Sequence, residues 1–129
     1  KEKKDRVEDA IYATKAALKE GIVPGGGIAL LNASTKIEPS CEGEKALLEA
    51  IKSPFHTIMS NAGFEALGYP EDIGVGVNVV TGEEVNMIES GIIDPVLVTK
   101  SALKNALSVV STIISADCVI SNMRTDEGS

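Results

Sequence analysis

The sequence predicts a mainly α-helical chain with one small β-hairpin and a short C-terminal strand. Three observations predict it. Apolar residues recur at three-and-four spacing through most of the 129 residues. Between Gly68 and Pro95 the texture changes, and glycines punctuate a stretch rich in β-branched residues. Aromatics are few (two Phe, two Tyr, no Trp), so a core must be built from Ile, Val, Leu and Ala.

The elements follow in order. The charged run Lys1–Arg6 leads straight into a helix whose apolar face is Val7, Ala10, Ile11, Thr14, Ala17 and Leu18. Gly21 is placed to end it as a left-handed cap. So abrupt a start, with Lys rather than Met at position 1, reads as a cut inside a longer protein. After Ile22-Val23-Pro24 and the triplet Gly25–Gly27, helical spacing resumes at Ile28. Glu38–Gly43 is a loop. A third helix is predicted from about Glu44 to Lys52, burying Ala46, Leu47, Ala50 and Ile51. Ser53-Pro54 opens a fourth, with Ser53 as cap, a stripe of Phe55, Ile58, Met59 and Ala62, and Gly63 as stop.

Val75–Val80 reads as a strand, Thr81-Gly82 as the turn, and Glu84–Met87 as the returning strand. Asp94-Pro95 is a helix-start signal, Asp as N-cap and Pro at the first position. The helix that follows, about Val96 to Ser115, is apolar around most of its circumference and is predicted to be buried between others. Lys100, Lys104 and Asn105 interrupt it too often for a membrane span. Cys118–Met123 is the predicted terminal strand, and Arg124–Ser129 a polar tail.

At this length about two-thirds of the extended-chain surface can be buried, enough for one core. Twelve Lys and Arg against nineteen Asp and Glu give a net charge of −7. That balance argues against nucleic acid, which needs clustered cations and stacking aromatics. The single histidine, His56, excludes a His-rich zinc site and leaves little for a Ser-His-Asp triad, so no metal ligands are assigned. Cys41 and Cys118 read as buried, reduced thiols of a cytosolic protein.

Few residues stand out for chemistry. Amides at the helix start after Gly25–Gly27 can approach an anionic or polar ligand closely, but the same glycines also permit a tight helix-to-helix corner. Without a following Gly-Lys-Ser/Thr the triplet is not a P-loop. Asp9 lies about 200° from Val7 around the first helix, on its polar side, where Arg6 can pair with it. Such a carboxylate can orient a hydrolytic water, yet nothing local marks it for that work. Asp94 has a ready job as an N-cap, and Asn78 as a turn residue. Val79, Val80 and Ile92 would ordinarily be core.

Four motifs in order carry a resemblance. Arg6-Val-Glu-Asp-Ala, Gly21-Ile-Val-Pro-Gly-Gly-Gly-Ile-Ala-Leu, Asn86-Met-Ile-Glu-Ser-Gly-Ile-Ile-Asp-Pro and Lys100-Ser-Ala-Leu-Lys-Asn-Ala resemble the C-terminal part of group I chaperonins of the GroEL type. The similarity runs from Lys4 to about Asn122. It implies an ATP-driven protein-folding machine of two stacked rings. Residues 1–21 would be the descending helix of the intermediate domain, and 22–129 the C-terminal half of the equatorial, ATP-binding domain, a helical bundle.

By the same resemblance Asp9 matches the carboxylate that positions the attacking water. Gly26, with Gly25 beside it, matches the glycine contacting the nucleoside. Asn78, Val79 and Val80 match the border of the adenine, Ile92 its apolar wall, and Asp94 the acid that hydrogen-bonds the ribose. The family's Asp-Gly-Thr-Thr-Thr phosphate loop, which also supplies the magnesium ligand, is absent from this sequence; magnesium and potassium ligands are expected outside it. The apical domain that holds unfolded proteins and the co-chaperonin is absent too. Val79-Val80 stands where the family has an Ala pair, and Pro24 where it has a small residue.

The expectations are therefore a chaperonin segment that alone hydrolyses no ATP and pairs with itself, in the cytoplasm or an organelle matrix. Two alternatives remain open: a non-enzymatic helical scaffold or oligomerisation module derived from a chaperonin core, and a small-anion binder at the glycine triplet.

Overall fold

The computed structural model describes residues 1–65 and 68–126, with side chains as far as Ala116. Helix α1 (Glu2–Glu20) leads into strand β1 (Ile22–Pro24), α2 (Ile28–Lys36), α3 (Glu42–Ala50) and α4 (Ser53–Asn61). Strands β2 (Val75–Asn78) and β3 (Glu83–Asn86) follow, then β4 (Ile93–Pro95) and α5 (Val96–Asp126). The predicted mainly helical class holds. Among the described residues no helix is long and apolar enough to cross a membrane.

The core is small and sits where α2, α4 and the hairpin meet. Ile28, Leu31, Phe55, Met59, Val77 and Met87 are buried together, with Phe64, Val85 and Ile92 packed against them. Close approach at this junction depends on glycine. A Cβ on Gly76 would lie 2.7 Å from Ile28 Cγ1 and 2.9 Å from Met87 Sδ. One on Gly27 (φ +77°) would lie 2.6 Å from the Phe55 backbone nitrogen, so the start of α4 abuts the glycine corner. Helix α4 ends in a Schellman motif. Gly63 (φ +82°) donates its N–H to Ser60, and Phe64 donates to Met59, which draws the Phe64 ring onto the core.

Strands β2 and β3 pair antiparallel, Val75 opposite Asn86 and Asn78 opposite Glu83, joined by the loop 79–82. A second ribbon was not foreseen. Strand β1 pairs antiparallel with β4, Ile22 opposite Pro95, Val23 opposite Asp94 and Pro24 opposite Ile93. Each of these strands has three residues including a proline, which is tolerated only on such edges. Helix α1 packs along this ribbon and α5, and Lys100 reaches Glu20 at 3.0 Å.

Several expectations are corrected. Asp94 is not an N-cap: it lies within β4, two residues before α5 begins, because pairing with β1 claims the backbone that would have opened the helix. Ser53 likewise lies inside α4, whose N-cap is Lys52. Gly21 ends α1 with φ +90° and ψ −166°, an extended mirror-image conformation rather than a left-handed helical one, because the chain runs straight on into β1. The C-terminal strand is absent: α5 continues through Asp126. Its backbone groups find partners within the helix when no neighbouring strand supplies them, and no Gly or Pro stops it before residue 126.

Nor is α5 buried between others, since every position from 104 to 116 is exposed. The contact face of α1 is the small-residue stripe of Ala13, Ala16 and Ala17, while Val7, Ile11 and Leu18 face outward. Alanines let α1 approach the ribbon and α5 more closely than the larger side chains would. Cys41 is exposed rather than buried, at the end of the loop before α3; the Cys118 side chain lies outside the described residues.

Candidate functional site

The glycine corner is the turn from β1 into α2. Gly25 is buried and donates its N–H to the Ile92 carbonyl at 2.8 Å. A Cβ there would stand 3.1 Å from the same oxygen, so the corner and the segment before β4 touch backbone to backbone. Gly26 (φ +66°) faces the Met87 methyl, where a Cβ would come to 2.9 Å. Ile28 donates back to Gly25 at 3.2 Å and Leu31 to Gly27 at 3.1 Å. Among the described residues the N–H groups of Gly26, Gly27, Ala29 and Leu30 have no such partner. The start of α2 thus offers several free donors together with the positive end of a helix dipole.

Asp94 stands beside this corner through the ribbon, opposite Val23. Its carboxyl edges two cavities. One, of about 620 Å³, is an open groove with Pro24, Gly27, Ala29 and Leu30 at one end and the apolar sides of α3, α4 and α5 along its length. The other, of about 260 Å³, lies between Ala13, Thr14 and Ala17 of α1 and the ribbon. Apolar walls on both sides desolvate Asp94 and push its pKa above the ordinary carboxylate range, although one side stays open to water.

The hairpin residues sit farther out. Asn78 accepts from Val80 N–H through Oδ1 at 3.0 Å, and its carbonyl accepts from Gly82 at 2.7 Å. It is a turn former first, and its side chain sets the loop that presents Val79 and Val80. Val80 is 90% exposed, an unusual placement for valine at a hairpin tip. Asp9 is exposed on α1 and takes no ion pair among the described residues, because Arg6 bonds Glu2 at 2.7 Å instead. It lies one turn before Ala13, at the end of the stripe that faces the ribbon.

Gly25, Gly26, Ile92 and Asp94 are therefore brought together by backbone contacts. Asn78, Val79 and Val80 project from the hairpin whose base adjoins them, and Asp9 stands apart on α1. Met87 was missed by the sequence reading. It is 1% exposed and joins Gly26 to Gly76, yet a lone Met after a strand carries no sequence signal. His56 belongs to no group of three or more metal-ligating side chains among the described residues, and shares a hydrogen bond with the Tyr69 hydroxyl at the surface.

The residues present fit the nucleoside half of a nucleotide. A purine and ribose need an apolar wall, a carboxylate to accept ribose hydroxyls, and backbone that lets them approach; Ile92, Asp94 and the glycine corner have those properties. Neither an Asp-Gly-Thr-Thr-Thr nor a Gly-Lys-Ser/Thr phosphate-loop motif occurs in this sequence.

Comparison with known proteins bears on the family and the fold. The chain aligns at 32% identity with a crystal structure of a group III chaperonin in the open state, with a TM-score of 0.69 over 78% of this chain. It spans about a quarter of that protein's length, 24%. The model of the TCP-1/cpn60 chaperonin family matches residues 1–124. On that match, covering nearly the whole sequence, the chain belongs to the TCP-1/cpn60 chaperonin family.

Proposed function

We propose that this chain supplies the nucleoside-binding wall of a group I chaperonin subunit, whose complete form folds proteins at the expense of ATP. Residues 1–21 would be its descending intermediate-domain helix and 22–129 the second half of its equatorial domain. The group I assignment rests on the four sequence motifs; the solved relative is a group III member. The observation that carries the reading is the contact of Gly25 with Ile92, which puts the glycine corner beside Asp94.

In this reading Gly25 and Gly26 lie against the nucleoside, Asn78, Val79 and Val80 border the adenine, Ile92 walls it, and Asp94 accepts ribose hydroxyls. Bound ATP would supply the phosphoanhydride whose cleavage drives the cycle. The Asp9 carboxylate orients a water when α1 is brought over the site. Magnesium and potassium ligands, ring neighbours, unfolded substrates and the co-chaperonin would meet other parts of the subunit, in the cytoplasm or an organelle matrix.

Phosphoryl transfer relies on electrostatic stabilisation by a phosphate loop and metal. We therefore expect no steady-state phosphate release by this chain with ATP and magnesium. Turnover that Asp9→Ala abolishes would overturn that expectation of inactivity.

A second reading, a scaffold or oligomerisation module that kept the core and lost the chemistry, is favoured by one observation. Leu107, Val109, Val110, Ile113 and Ile114 stand exposed in a row along α5. A phosphate-loop motif upstream in the same reading frame would exclude it.

A further inference from the structure

We propose that Asn32 is a positioning residue for the nucleoside pocket, because its side chain closes a ring of hydrogen bonds that sets the hairpin against the glycine corner. Starting from α2, Asn32 Oδ1 accepts the Gly74 N–H at 2.9 Å. The Gly74 carbonyl accepts Met87 N–H at 3.0 Å, which closes the open end of the β2–β3 hairpin. The Met87 carbonyl accepts Ile92 N–H at 2.8 Å, and the Ile92 carbonyl accepts Gly25 N–H at 2.8 Å. Gly25 leads directly into α2, which carries Asn32, so the ring is complete.

Every other link in that ring is backbone to backbone. Asn32 is its one side-chain link, and it bridges 42 residues of sequence. Asparagine is a poor residue inside a helix, and here it sits half-buried between Leu31 and Ala33. The Gly74 amide it satisfies immediately precedes β2, the strand that ends in Asn78. A hairpin held at both feet, by Asn32 at Gly74 and by Ile92 at Met87, presents its tip at one place relative to Gly26. Released at Gly74, it keeps its internal ladder but loses its fixed orientation. Asn32 touches no base or phosphate in this account. It acts through the hairpin, and its influence falls on recognition of the base.

The proposal rests on the nucleoside reading above, and the test separates the two. Asn32→Leu keeps the branched shape of the side chain but has no acceptor; Asn32→Asp keeps the acceptor. ADP and CDP are titrated into the 129-residue chain and its variants, with amide exchange read at Gly74 and Met87. We expect Asn32→Leu to speed exchange at Gly74, to weaken ADP roughly tenfold, and to shrink the preference for ADP over CDP. Asn32→Asp should restore all three to within about threefold of the parent. If the parent chain binds ADP and Asn32→Leu binds it equally well with the same preference, the positioning role is overturned while the nucleoside reading stands. If the parent chain binds no ADP at all, both fall.

Discussion

Asp94 shows most directly how one residue's surroundings fix its chemistry. Asp94 is exposed yet lines two apolar cavities, and the partial burial strips some hydration from its carboxyl, which holds its proton more tightly than it would in the unfolded chain. For an acid with a raised pKa the native state binds more protons than the unfolded one. Its ionisation therefore subtracts stability as pH rises from the ordinary value of 3.8 through the folded value, and the penalty is complete once pH exceeds both. Asp94→Asn should remove that penalty and raise the melting temperature slightly at pH 7, with no change near pH 3. The same substitution should weaken ADP binding about tenfold by replacing a charged acceptor with a neutral one. A melting temperature that falls at pH 7 would contradict the assigned desolvation. At this scale the sequence was partly legible. Gly25, Gly26 and Asp94 were singled out because glycine and aspartate carry backbone and charge signals, whereas Met87 and Asn32 act through contacts between segments more than forty residues apart, which no local pattern records.

Elements reveal a different division. Helix α3 is short and has no buried residue of its own, so its ends matter more than its face. Ser40 donates both its N–H and its hydroxyl to Glu44 Oε2 at 2.7 Å, which ties the preceding loop to the first turn of α3 and holds the Glu44 carboxyl below its usual range. That contribution is fully present above the ordinary value of 4.5 and is lost as pH falls through the folded one. We expect protection factors at the start of α3, corrected for the intrinsic pH dependence of exchange, to fall on acidification, and Glu44→Gln to show the lower protection already at pH 7. Helices α1 to α4 and the hairpin were legible from periodicity and turn residues, with ends displaced by one or two positions. The β1–β4 ribbon was not, nor was the continuation of α5 beyond Ser115. Ribbons of three residues are stabilised by what packs on them, and α5 has no stop signal where a strand had been expected.

The whole molecule exposes 9499 Å². A compact monomer of 13.5 kDa exposes about 6,500 Å². The excess, on the order of 3,000 Å², exceeds what a standard protein interface buries. It coincides with the apolar side of α5, the outward face of α1 and the long groove beside them. A chain with this surface should associate with itself when alone, through α5. Light scattering at high concentration checks this: dimers or larger species are predicted, and a monomer that persists would argue that α5 is adequately covered. The family's resemblance was legible over nearly the whole sequence, but the degree of exposure was not, because composition reports how much apolar surface a chain carries and not whether this chain can cover it.

In the proposed reading, residues separated by up to 69 positions, Gly25 to Asp94, come to one side of a single adenosine pocket. The direct measurement is a titration of the isotope-labelled chain with ADP, followed amide by amide. The account predicts weak binding, on the order of 1 mM, with shifts concentrated at Gly25, Gly26, Val79, Val80, Ile92 and Asp94. Shifts confined to the groove between α3 and α5, or none up to about 10 mM ADP, would contradict it.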